Sequence, residues 1–276
     1  MSDVRTDTQA APATESRGNP QGDFIWYELM TPDGDGAKAF YDAVVGWDIS
    51  EGAPEYGGYR MIGRSDGGNA GGVLTLSPEM LQAGVQPGWI GYLHVDDVDE
   101  AVRSIERAGG AVMKEAFDIP NVGRIAVVKD PQGAAFCVMK PIPPGGDPTA
   151  KSDVFAPNEP GRCAWNELAT SDQKAALNFY TGQFGWTAGD TMPMGDMGEY
   201  QFIMQNGVMI GAIMTKAPEN QVRWRFYFRV ADVDEAKAAA ERGGGTIIHG
   251  PQEVPGGDRI LIGRDPQGAE FAVVGR

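Results

Sequence analysis

The chain repeats itself. Trp26 recurs as Trp165, Glu28 as Glu167, Phe40-Tyr41 as Phe179-Tyr180 and Gly46-Trp47 as Gly185-Trp186, each pair 139 positions apart. Farther along the spacing drops to 135: Val95–Glu100 (VDDVDE) recurs as Val230–Glu235 (VADVDE), and Asp130-Pro131-Gln132-Gly133 as Asp265-Pro266-Gln267-Gly268. A constant offset on both sides of one shortened loop is the signature of a tandem duplication. Whatever fold the chain takes must therefore be one that half of it can take, twice.

Residues 1–21 are rich in Ser, Thr, Ala and Pro and show no periodic apolar face, which reads as a disordered tail. Residues 141–160 (PIPPGGDPTAKSDVFAPNEP) carry prolines and glycines that continue neither a helix nor a central strand, and read as a linker. This leaves residues 22–140 and 161–275 as the two repeated domains. Each half also divides into two similar parts. The first has an alternating strand at Phe24–Met30 and a helix whose apolar Ala37, Phe40, Tyr41 and Val44 fall at i, i+3, i+4 and i+7, followed by short Gly-punctuated strands. The second repeats that order: a strand at Ile90–Val95, Asp96 or Asp97 as N-cap, and a helix with Val98, Ala101, Val102 and Ile105 on one face. Gly109-Gly110 ends the helix, and an Asp-Pro-Gln-Gly turn stands before the last strand. The expected class is α+β, built from four βαβββ units.

Composition removes several functional classes. A net charge of −15 repels a phosphate backbone or an anionic bilayer, so neither nucleic acid nor membrane is an expected partner. No apolar run approaches the roughly 20 residues that span a bilayer, and the N-terminus lacks the basic and apolar blocks of a secretory signal; the expectation is a cytoplasmic protein. Cys137 and Cys163 are the two cysteines, too few for a disulfide framework or a four-cysteine zinc site. No phosphate loop, dinucleotide fingerprint or nucleophile elbow occurs.

The order of strand, Phe-Tyr helix, Gly-Trp, VxDVDEA and Asp-Pro-Gln-Gly, occurring twice, resembles the glyoxalase, bleomycin-resistance and extradiol-dioxygenase (vicinal oxygen chelate) superfamily, and within it the tandem glyoxalase-like proteins of bacteria. That resemblance implies paired units curled into half-open β-barrel cavities, with metal ligands on the first and last strand of each unit. The inherited ligand positions fall on Trp26, Trp165, Ile90, Arg225, Cys137 and Ala272, which together cannot hold a divalent ion. The expectation is no metal and no cofactor. Glu28, His94, Glu167 and Glu270 remain the donors from which a shifted site could be rebuilt.

If the ligand position faces the cavity, every second residue along a strand faces it too. This nominates Trp26, Met30, Tyr92, Cys137, Trp165, Arg225, Tyr227, Arg229 and Glu270 as ligand-binding, and Glu28, Glu167 and His94 as catalytic. A carboxylate on an inward strand face is costly unless paired or used. The resulting expectation is a protein that encloses a small carbonyl-bearing or aromatic molecule, with metal-independent lyase or isomerase chemistry. Its alternatives are non-catalytic sequestration, as in bleomycin resistance, or a metal-dependent lyase or dioxygenase with relocated ligands. The halves are expected to pair within one chain or in a homodimer.

Overall fold

The computed structural model describes residues 18–276. The expected tail therefore lies outside the described residues, apart from Gly18–Gln21. That short stretch is docked: the Gln205 side chain donates to the Gln21 carbonyl at 2.7 Å.

The first half runs β1 (Phe24–Thr31), α1 (Gly34–Val45), β2 (Asp48–Ile49), β3 (Arg60–Gly63), β4 (Asn69–Thr75), α2 (Pro78–Gln82), β5 (Gly88–His94), α3 (Val98–Arg107), β6 (Ala111–Ile119), β7 (Gly123–Lys129) and β8 (Ala135–Pro141). The second runs β9 (Cys163–Thr170), α4 (Gln173–Phe184), β10 (Thr187–Pro193), β11 (Glu199–Gln205), β12 (Val208–Thr215), β13 (Arg223–Arg229), α5 (Val233–Arg242), β14 (Thr246–Glu253), β15 (Arg259–Arg264) and β16 (Glu270–Gly275). Four βαβββ units result, and the second half has no counterpart of α2. Local chemistry sets the helix ends, and of the two expected N-caps of α3 it is Asp97 that serves. Asp33, Asp97, Asp172 and Asp232 cap the four long helices by accepting backbone N–H bonds, and Gly46 and Gly185 end α1 and α4 in the left-handed conformation.

Each half forms one open eight-stranded sheet, in the order β2-β3-β4-β1-β5-β8-β7-β6 and β10-β11-β12-β9-β13-β16-β15-β14. The two units of a half thus join through the antiparallel β1/β5 and β9/β13 pairs, and each concave face belongs to a single half. The sheets pack back to back. Between them Phe24, Tyr27, Trp47 and Trp89 of the first half interlock with Trp186, Trp224, Phe226 and Phe228 of the second, with ring centroids 4.6 to 6.0 Å apart. The helices cross over as well: Phe40 of α1 stacks edge-on against Phe271 of β16, and Phe179, Tyr180 and Phe184 of α4 surround Phe136 of β8.

The repeated motifs meet each other across this interface. Trp89 donates to the Tyr41 hydroxyl (3.3 Å), which donates to Asp265 of the other half's Asp-Pro-Gln-Gly turn (3.0 Å). Trp224 donates to Tyr180 (3.0 Å), which donates to Asp130 (3.1 Å), so the same relay runs in the opposite sense. Trp47 and Trp186 likewise donate to the carbonyls of Gly161 and Gly22, at 2.8 and 2.9 Å. Tyr27 and Asn166, repeat equivalents, bond each other directly at 2.8 Å and so mark the pseudo-two-fold axis. Burial raises the Asp130 and Asp265 carboxyls even though each accepts backbone N–H bonds from its own turn. Replacing Tyr180 with Phe leaves both Trp224 Nε1 and an Asp130 oxygen short of a buried partner, and should cost roughly 1–3 kcal/mol. Urea denaturation of Tyr180→Phe and Tyr41→Phe checks this: both midpoints fall together if the relays are equivalent.

The expected linker is held to the first sheet. Asp153 pairs with Arg64 at 2.6 Å and Ser152 donates to the Ile25 carbonyl at 2.7 Å. No helix among the described residues is long and apolar enough to cross a membrane.

Candidate functional site

Alternation along β1 turns Tyr27 and Leu29 into the core between the sheets and leaves Trp26, Glu28 and Met30 on the concave side. The same alternation on β9 places Trp165 and Glu167 there. Both carboxylates are sunk to the same depth, Glu28 being 7 % exposed and Glu167 6 %.

Both stand in the same frame of aromatic donors. In the second half the Trp165 indole donates to the Tyr200 hydroxyl at 2.8 Å, and Tyr200 donates to Glu167 Oε2 at 2.7 Å. Tyr227 donates to Glu167 Oε1 at 3.2 Å. In the first half Trp26 donates to Tyr59 at 2.9 Å, and the hydroxyls of Tyr59 and Tyr92 lie near enough to Glu28 to lower its carboxyl pKa. Burial raises all four tyrosines well above their ordinary pKa, so they serve as neutral donors.

The halves diverge in what neutralises the carboxylate. On β13 the residue facing Glu167 is Arg225, whose Nη1 lies 2.6 Å from Glu167 Oε1 and whose Nε lies 2.8 Å from Glu270 Oε1. Arg223 closes the row on Glu270 at 2.7 Å. Burial works against the Arg225 charge, but the Glu167 and Glu270 carboxylates outweigh it and raise its pKa. On β5 the residue facing Glu28 is Ile90, and the positions matching Arg223 and Glu270 are Gly88 and Ala135. With no guanidinium beside it, Glu28 is raised above the usual carboxylate range by burial, which outweighs the two tyrosine hydroxyls and the Lys114 charge.

Of the nominated residues, Trp26, Glu28, Met30, Tyr92 and Cys137 come together over an apolar floor that includes Ile25, Ile90 and Met139. Cys137 is fully enclosed, and burial raises its thiol well above normal, so it is no thiolate nucleophile. Trp165, Glu167, Arg225, Tyr227 and Glu270 come together in the second half. His94 and Arg229 join neither group. His94 stands at the far end of β5, where its backbone exchanges hydrogen bonds with Gly22 and Asp23; burial lowers its pKa and its Nδ1 has no partner among the described residues. Arg229 pairs with Asp258 at 2.6 Å and donates to the Pro157 carbonyl. A cleft of about 500 Å³ between the end of α1 and the start of α5, lined by residues such as Val44, Ala231 and Asp232, touches neither concave face.

Tyr59, Tyr200, Lys114 and Arg223 belong to these sites without having been nominated. Arg223 was reachable, since it lies two residues before Arg225 on the same strand face. The donor set does not fit the superfamily's metal. Among the described residues no three His, Cys, Asp or Glu side chains converge, and Arg225 sits where a cation would have to be.

Comparison with known proteins places this architecture. The Glyoxalase/Bleomycin resistance protein/Dioxygenase superfamily profile matches residues 24–138 and again 161–273. A Mycobacterium bovis protein named "Putative glyoxylase CFP32" is 33% identical over 257 residues, covering 92% of this chain and 95% of the relative. The anthracycline biosynthesis protein DnrV of Streptomyces peucetius is 30% identical over 263 residues, covering 90% and 91%. Among solved structures, the Mn(II)-bound glyoxalase from Novosphingobium aromaticivorans shares the fold with a TM-score of 0.60 at 20% identity, covering 93% of this chain and 82% of its own. With two tandem matches and relatives aligned over nearly their whole length, the chain belongs to the Glyoxalase/Bleomycin resistance protein/Dioxygenase superfamily.

Proposed function

We propose that the concave face of the first half binds a flat, neutral, carbonyl-bearing molecule and that Glu28 removes a proton from the carbon beside its carbonyl, without a metal. One observation carries this: two carboxylates occupy equivalent buried positions, and only Glu28 lacks a guanidinium. A buried carboxylate with raised pKa holds a proton more strongly and is a better base for a weak carbon acid. Tyr59 and Tyr92 stand beside the carboxylate, and Trp26 offers a face on which a planar ligand stacks. The second half keeps the same aromatic frame around an already neutralised carboxylate, and its role is structural. The names of the relatives, one a glyoxylase and one a protein of anthracycline biosynthesis, support a carbonyl-bearing ligand and a polycyclic one respectively.

The probe 2-tetralone, flat and acidic beside its ketone, tests this without knowledge of the natural ligand. In D2O the parent chain should catalyse its α-deuteration as followed by NMR. Glu28→Gln should lose on the order of 100-fold or more of that rate, while Arg225→Met retains it as long as the chain is folded. Binding without exchange in the parent makes the protein a sequestering one and refutes the catalytic part. An unchanged rate in Glu28→Gln refutes the assignment of the base.

A further inference from the structure

Proton abstraction beside a carbonyl moves charge onto the carbonyl oxygen, and a catalyst of that step needs something positive for that oxygen. Around Glu28 the floor and walls are apolar or aromatic. A positive group at the edge of this cluster is carried by β6.

Lys114 lies at a place where strand pairing is broken twice. The β6/β7 register shifts between Val112 and Lys114 and again between Lys114 and Phe117. Bulges of this kind re-aim a side chain that simple alternation would send elsewhere. Here the ammonium of Lys114 is brought 3.8 Å from the centroid of the Phe117 ring, and Phe117 packs on the concave cluster of Ile25, Ile90, Tyr92 and Cys137. Through Phe117 the ammonium is held at the edge of this cluster, and its charge lowers both Glu28 and Cys137. Lys114 itself is exposed and makes no ion pair among the described residues. It is free to turn to a ligand. The equivalent residue of the second half is His249, also between two register shifts, but there Arg225 already fills the interior.

We infer that Lys114 is the electrophilic partner of Glu28, donating a hydrogen bond to the oxygen of an enolate formed in the first-half site. The inference rests on the reading of Glu28 as base. Glu28 takes the proton from the carbon beside the carbonyl, and the C–H electron pair becomes the new C=C bond. The carbonyl π pair moves to oxygen, where Lys114 donates a hydrogen bond and keeps its proton. Return of the proton from Glu28 to carbon regenerates the carboxylate, and no co-reactant is consumed. The ligand class is thereby narrowed to ketones or aldehydes with an acidic neighbouring carbon.

The compound 2-naphthol tests this, because its anion has the shape and charge of the enolate of 2-tetralone and absorbs at longer wavelength than the neutral phenol. In the Glu28→Gln chain, which removes the competing carboxylate, bound 2-naphthol should ionise about tenfold more than free 2-naphthol at the same pH. Lys114→Met should remove that gain and Lys114→Arg should keep it. If 2-naphthol binds and Lys114→Met leaves its ionisation unchanged, the inference is overturned and Glu28 as base still stands. If 2-naphthol binds neither parent nor variants, both fall. Lys114 is exposed, so its loss does not threaten the fold.

Discussion

A chain ended near Pro144 will not persist as a dispersed monomer. It would carry the whole first sheet and yet leave bare the face that the second sheet covers. Phe24, Tyr27, Phe40, Tyr41, Trp47, Trp89 and Phe136 all touch aromatic partners in the second half. Full burial of one large apolar side chain is worth about 1.5–3 kcal/mol, so seven represent on the order of 10 kcal/mol. That equals the entire stability of an ordinary domain. The truncated chain is also left with the Tyr41 hydroxyl without its Asp265 and Asp130 without its Tyr180. Size-exclusion chromatography with light scattering should find dimers or aggregates. Two copies can regenerate the pseudo-two-fold contact, with Tyr41 of one meeting Asp130 of the other. A stable, folded monomer would show that the interface is dispensable.

The second large effect separates the two carboxylates. Arg225→Met strands Glu167 as a buried, uncompensated charge and leaves Glu270 to Arg223 alone, and breaking a buried pair of this kind costs roughly 3–5 kcal/mol. For a protein of this size that corresponds to a fall in melting temperature on the order of 10 °C. Glu28→Gln removes a charge that nothing pairs, and should leave stability level or raise it. The pH dependence has a definite sign. Because the folded-state pKa of Glu28 is raised above the ordinary 4.5, its contribution is fully present below 4.5 and is lost as pH rises through the folded value. Glutamine does not titrate. The stability of Glu28→Gln relative to the parent should therefore grow from acid toward neutral pH and then level off. Melting curves of both variants between pH 4 and 8, run beside the parent, decide the matter. A Glu28→Gln chain that melts well below the parent at neutral pH would mark Glu28 as structural.

The repeat, the four βαβββ units and the helix caps were legible because each depends on local chemistry: an Asp before a helix, a Gly after it, apolar residues at i, i+3, i+4 and i+7. Concave faces were legible by alternation, which correctly brought Trp26, Glu28 and Tyr92 together. Alternation says which face, not how far along. His94 and Arg229 share that face and still end at the far rim, each captured by segments that only the folded chain brings near, at Asp23 and at Asp258. Tyr59 was hidden differently. It follows Gly57-Gly58, both in left-handed conformation, so no strand period runs through it. Lys114 escaped because its register shifts break the two-residue count at the position that matters. Which sheet face meets which was beyond periodicity altogether, since the halves contact each other through residues far apart in the sequence, such as Tyr27 with Asn166 and Tyr41 with Asp265.

The motifs that make the sequence recognisable, Phe-Tyr, Gly-Trp and Asp-Pro-Gln-Gly, are occupied in holding one half against the other. None of them touches Glu28 or Glu167. Were the halves separate copies of one gene product, every substitution would be made on both sides of the axis at once, and an arginine that quenches one carboxylate would quench its twin. Joining them in one polypeptide lifts that bond between sister positions. The seam stays fixed by shared vocabulary, and either bowl can be rewritten alone.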